Sequence, residues 1–131
     1  MSYEVFVMRF EGGDSAALDT GAARTVLAPY AEYAKDEGEY HYCGLRTRDG
    51  GEADVHVRPD CVTFHRFSTG DVLDVLAKLV RRLNAVLVCP DAPAVLRSEE
   101  VRPQLPAGLR DDAVVIPVLT GAAIDALLKR A

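Results

Sequence analysis

The chain has 131 residues, 49% hydrophobic and 27% charged, with a formal net charge of −5. This is the size and composition of one globular domain with a single core, and it excludes a chain disordered over most of its length. The scattered basic residues exclude a general nucleic-acid binder, which needs clustered Lys and Arg, and no apolar run approaches the ~18 residues of a membrane span.

The opening MSYEVFVMRFEGGD lacks a basic start, an apolar leader core and a small-residue cleavage site. It reads as a strand over residues 3–10, with Phe6, Met8 and Phe10 on one side and Tyr3, Val5 and Val7 on the other. A cytoplasmic location is expected, with Cys43, Cys61 and Cys89 as reduced thiols, since their count is odd and no Cys-x-x-Cys occurs. Thr20 suits the N-cap of a helix carrying Ala23, Val26, Leu27 and Tyr30 at helical spacing, and Pro29 ends or kinks it near Leu27 and Ala28. Asp36-Glu37-Gly38-Glu39 is a polar break. The spacing then predicts a strand over 40–47 and a hairpin turn at Arg48-Asp49-Gly50-Gly51.

Residues 53–67, ADVHVRPDCVTFHRF, form a second hairpin around Pro59-Asp60. A two-residue turn there sets Arg58 opposite Cys61, His56 opposite Thr63 and Asp54 opposite His65. Val55, Val57, Val62 and Phe64 then fill one face, while Asp54, His56, Arg58, Cys61, Thr63 and His65 line the other.

The clearest helix follows, with Ser68 and Asp71 spaced as a capping box and Val72, Leu76, Leu79 and Leu83 in one stripe. Asp74 and Lys78 have the spacing of an i,i+4 pair; Lys78, Arg81 and Arg82 read as a solvated face, and Asn84 as a left-handed stop. Residues 85–89 are apolar on both faces, as in a central strand. Residues 90–112 make an irregular Pro-rich connection, in which residues 98–102 have the makings of a helical turn or two. A strand over 113–118 is placed at an edge by Pro117. Thr120 caps a last helix with Ile124, Leu127 and Leu128 inward and Asp125 paired to Lys129.

The expected fold is a single domain over 1–131 of the α+β (mixed α/β) class. It is a two-layer sandwich with a β-α-β-β-β-α-β core, a C-terminal strand and helix, and the helices on one face. Either the C-terminal arm or a second copy covers the other face near the first strand.

The polar strip invites three chemical readings. His56 and His65, diagonal neighbours about 7–8 Å apart, join Asp54 as ligand types for zinc or iron, but their spacing matches no metal signature, and no cofactor is expected. Cys43 stands opposite His56 if the Asp49-Gly50 turn has two residues; if the loop is one residue longer, Gly44 does. Asp54 and His65 have the form of an oriented general base, for which a cross-strand ion pair is the plainer account. Cys61 and His65, roughly 13 Å apart along one strand, cannot activate each other.

The phrases YEVFVMRFEGGD, RTRDGGEADVHV, GDVLDVLAKLVRRLNAVLV and RPQLPAGL leading to LTGAAIDALL together resemble a group of small actinobacterial α/β proteins. Some proteins of this size and layout resemble immunity proteins, which neutralise a toxin encoded beside them. The shared phrases are turns, strands and helix patterns, so the resemblance implies a common fold and carries no active site across.

The first reading is therefore a non-enzymatic bacterial domain binding a protein partner, a toxin or other, through Tyr40, Tyr42, Asp54, His56, Arg58 and His65, without nucleic acid or membrane. The alternative is a metal- or small-molecule-dependent enzyme using the same strip, with His41 or Cys43 from the neighbouring strand. A homodimer is the third.

Overall fold

The structure, a computed structural model, describes residues 3 to 129. In chain order the elements are β1 Glu4–Glu11, β2 Asp14–Ala16, α1 Thr20–Leu27, β3 Ala31–Glu37, β4 Tyr40–Arg46, β5 Glu52–Arg58 and β6 Cys61–His65. After these come α2 Asp71–Leu83, β7 Val86–Val88, β8 Val95–Leu96, α3 Ala107–Arg110, β9 Val114–Val115 and α4 Gly121–Lys129. Short 3-10 turns occupy Ala28–Tyr30 and Glu99–Gln104. One mixed sheet runs β3-β4-β5-β6-β1-β7-β8-β9, with β2 paired to the end of β1 and only β8 and β9 parallel. The protein is thus an α+β domain. Among the described residues no helix is long and apolar enough to cross a membrane.

Alternation decides what the sheet buries. Val5 and Val7 of β1, Val55 and Val57 of β5, and Val62 and Phe64 of β6 point to one face and are all but inaccessible. Against them lie Val72, Leu76, Leu79 and Leu83 of α2, Ala23, Val26 and Leu27 of α1, and Ile124 of α4. Each of the valine, leucine, isoleucine and phenylalanine side chains contributes about 1.5–3 kcal/mol of transfer free energy.

The helix ends differ in detail from the sequence expectation. The cap of α1 is Asp19, whose Oδ1 accepts from the Ala22 amide at 2.9 Å, and Thr20 is already helical. Pro29 does end the helix, at Leu27, through the 3-10 turn. Ser68 does not cap α2: its Oγ accepts from the Glu52 amide, and the Asp49 carboxylate of the β4–β5 loop accepts from Asp71 N at 3.0 Å instead. An acceptor held by a distant loop has displaced the local one. Asn84 closes α2 in the left-handed region, at φ 53°. Asp74 does not pair with Lys78 but lies against Gly121, where any side chain would collide with its carboxylate. Thr120 Oγ1 caps α4, and Asp125 pairs with Lys129 at 2.9 Å.

Three strands escaped the sequence pattern. β2 and β8 are too short to alternate. β3, AEYAKDE, covers residues to which the sequence assigned no element and runs into the expected polar break at Asp36; its residues beyond Ala31 are exposed, because it is an edge strand beyond the reach of the helices.

The second face is divided. Phe10, Val86, Ala94, Leu96, Leu105 and Ala113 form a separate apolar cluster beneath the C-terminal arm. Gln104 holds that arm down, accepting from the Gly12 amide through its side chain at 2.8 Å and from the Gly13 amide through its carbonyl at 2.9 Å. The arm therefore covers the second face around Phe10 and Val86. Over β3 to β6 the same face opens to solvent.

Candidate functional site

The open face is assembled from two hairpins and one edge strand. In the β5–β6 hairpin Arg58 pairs with Cys61, His56 with Thr63 and Asp54 with His65, as the two-residue Pro59-Asp60 turn requires. The β4–β5 register matches neither expected alternative. Thr47 and Gly51 close a three-residue loop, with Thr47 N donating to Gly51 O and Gly50 N to Thr47 O, both at 2.9 Å. Gly50 takes φ +88°, and the Asp49 carboxylate binds Thr47 Oγ1 and Gly51 N. This loop sets Tyr42 opposite His56 and Cys43 opposite Val55.

One step of register sorts every β4 side chain. Tyr40, Tyr42 and Gly44 join the open face, and His41, Cys43 and Leu45 turn to the helix side. The Cys43–His56 dyad is thereby overturned. Cys43 is fully buried, and burial pushes its thiol up to about 11. His41 pairs with Asp36 at 2.7 Å on the side away from His56, so neither residue can serve an enzyme built on the strip.

A bulge does similar sorting on β3. Ala31 pairs with Leu45, but the register shifts at Glu32, and Tyr33 pairs with Gly44 on the open side. Without the extra residue Tyr33 would share the face of Ala31.

The side chains interlock. The Tyr33 and Tyr42 hydroxyls are 2.8 Å apart, and Tyr42 donates to Asp54 Oδ1 at 3.0 Å. The Tyr40 hydroxyl bonds His56 Nδ1. Ring centroids lie 4.8 Å apart for Tyr42–His56 and 5.6 Å apart for Tyr33–Tyr42 and Tyr40–His56. The Arg58 guanidinium sits 5.0 Å above the Tyr40 ring.

Asp54 and His65 face each other across the strands but do not pair. His65 Nδ1 turns to Glu4 Oε1 at 3.2 Å, its neighbour on the β1 side, because Tyr42 already holds Asp54. Burial, and then the Arg58 charge, hold His56 below its ordinary value, so it is neutral at neutral pH. The hydrogen bond that ties the Tyr42 hydroxyl to Tyr33, the largest cause, raises Tyr42 above the usual phenol range, with burial and the bond to Asp54 adding to it.

Among the described residues no three His, Cys, Asp or Glu converge as metal ligands. His56, His65 and Asp54 spend their inward atoms on Tyr40, Glu4 and Tyr42. Burial also raises the Cys61 and Cys89 thiols, Cys89 to about 12, so no thiolate is poised. An open cleft of about 490 Å³ runs along the cluster, with Tyr40, Tyr42, Asp54, His56 and His65 in its wall. A larger one, about 580 Å³, lies against the C-terminal arm and carries Arg9, Arg97, Glu11 and Glu100 in its wall.

All six residues singled out from the sequence lie on this face. Tyr33, Lys35, Glu37 and Glu4 escaped notice, the first three because β3 carries no alternating apolar signal. The glycine inside a strand at Gly44 was the available hint of a close neighbour.

No protein-family model, no curated protein and no solved structure matches this chain.

Proposed function

We propose that the protein is a non-enzymatic recognition domain that binds a protein partner through the open face of β3 to β6, in the manner of an immunity protein. The observation that carries this reading is the ordered tyrosine cluster Tyr33, Tyr40 and Tyr42, hydrogen-bonded and left in contact with solvent. Tyrosine and arginine are the side chains that anchor protein interfaces. Rings already held by hydrogen bonds lose little further freedom on binding, so the surface is organised in advance.

The test is retention of a stoichiometric partner from host lysate on the tagged protein, followed by native mass spectrometry. Tyr33→Ala and Arg58→Glu alter exposed positions, so their melting temperatures stay near that of the parent. Loss of the partner in both variants supports the proposal. Undiminished retention removes this face from it. For the immunity-like form, co-expression of the partner is toxic alone and tolerated with the parent protein.

One observation favours the alternative of small-molecule chemistry, that the cleft volume of about 490 Å³ falls in the range of ligand sites. A thermal-shift screen of metabolites and divalent metals that leaves Tm unmoved would dispose of it.

A further inference from the structure

We infer that the open face is built to receive a cationic side chain of its partner, an arginine seated on the Tyr33 and Tyr42 rings and paired with Asp54. This rests on the partner-binding reading and names the chemistry of the contact.

Asp54 is the centre of the argument. It is partly buried, yet among the described residues no Lys, Arg or His nitrogen lies within 4.0 Å of its carboxylate. Its one side-chain partner is the Tyr42 hydroxyl on Oδ1, which leaves Oδ2 as an open acceptor. A partly desolvated carboxylate gains most from a charge-assisted partner.

The neighbouring rings suit the same guest. Tyr33 and Tyr42 stand 5.6 Å apart at an interplanar angle of 51°, and their hydroxyls are consumed in the Tyr33–Tyr42–Asp54 chain. What remains to offer is the solvent-facing side of the Tyr33 ring, which is 53% exposed, and the part of the Tyr42 ring that His56 leaves uncovered, where the π-quadrupole is negative. The face already binds one cation this way, Arg58 over Tyr40.

The other cations nearby do not fill the place. Lys35 is bridged to Glu37 at 2.8 Å, and Arg66 lines the cleft without coming within 4.0 Å of Asp54. His56 is neutral. A net charge of −5 draws a basic partner to the protein. Arginine suits the place better than lysine, because its planar guanidinium stacks on a ring while its fork meets a carboxylate.

The experiment is titration of the ¹⁵N-labelled protein with Nα-acetyl-arginine amide and, separately, with the uncharged citrulline analogue. The arginine probe should give saturating shifts, in the millimolar range, confined to the amides of Tyr33, Tyr42, Gly44 and Asp54. Binding should weaken roughly tenfold for citrulline and for Asp54→Asn, a change of about 1.4 kcal/mol. The Asn side-chain oxygen still accepts the Tyr42 hydroxyl, so this variant keeps the fold and the ring positions. Tyr33→Leu should weaken binding several-fold.

Diffuse shifts, equal binding of citrulline, or an unchanged affinity in Asp54→Asn would overturn the inference. If Asp54→Asn keeps a retained partner that Arg58→Glu loses, partner binding stands and the arginine site falls. If arginine binds as described while the parent retains no protein, the cation site stands and the partner reading fails.

Discussion

The Tyr33 ring occupies the space that a side chain at Gly44 would take: a Cβ built there would lie 2.5 Å from Tyr33 Cζ. A glycine on the central side of an edge pair is thus covered by the aromatic residue opposite it. The same contact delivers the Tyr33 hydroxyl to Tyr42.

Gly44→Ala should therefore expel the ring and break the Tyr33–Tyr42 hydrogen bond. The hydrogen bond between the Tyr42 hydroxyl and Tyr33 is the largest cause of the raised Tyr42 phenol, so its titration should move down towards the ordinary value. Ultraviolet titration of the tyrosines reads this directly. An unchanged curve would mean that Tyr33 does not govern Tyr42.

His56 makes stability sensitive to acid. Its folded pKa lies below the ordinary 6.5, so the unfolded chain takes up the proton first. The contribution is complete above about 6.5 and is lost as pH falls through the folded value. Melting curves between about pH 8 and 5 should fall for the parent and fall less for His56→Gln. Parallel curves would show that another group carries the acid sensitivity.

Asp49 is expected to matter more than Ser68 to the start of α2, since it accepts from Asp71 N, Gly51 N and Thr47 Oγ1. Asp49→Ala should lower Tm by more than Ser68→Ala. These hydrogen bonds, the one from Asp71 N foremost, hold its carboxyl below the ordinary 3.8. Its contribution is therefore present above that value and disappears as pH falls through the folded one, so the Tm difference between the parent and Asp49→Ala should close in strong acid while that of Ser68→Ala persists.

Phe64 is fully buried between the sheet and the helices, so Phe64→Ala should cost about 3–5 kcal/mol in denaturant unfolding. Tyr33→Ala, on the half-exposed edge, should cost far less. A small loss at Phe64 would contradict the packing of the core.

The thiols should separate by exposure. Cys43 and Cys89 are buried and Cys61 is partly exposed, so Cys61 should react first with a maleimide, and the others only on unfolding. Mass spectrometry of a timed alkylation gives the order.

Local chemistry by itself determined a good part of this protein. Alternation and the Pro59-Asp60 turn dictate the β5–β6 register, the apolar stripe dictates α2, and the two-sided apolar runs of β1 and β7 require a central place in the sheet. Each of these signals is carried by residues close together in the chain.

Only the tertiary structure decided the rest. The β4–β5 register turned on whether Thr47 and Gly51 pair, a difference of one loop residue that moves Cys43 from the polar strip into the core. β3 exists because β4 offers it a hydrogen-bonding edge, not because its own pattern asks for a strand. Glu4 takes His65 from Asp54, and Asp49 takes the α2 cap from Ser68, because competition between acceptors is settled by distance in space. The open face is itself such an outcome: the C-terminal arm covers one half of the sheet and leaves the other to Tyr33, Tyr42 and Asp54.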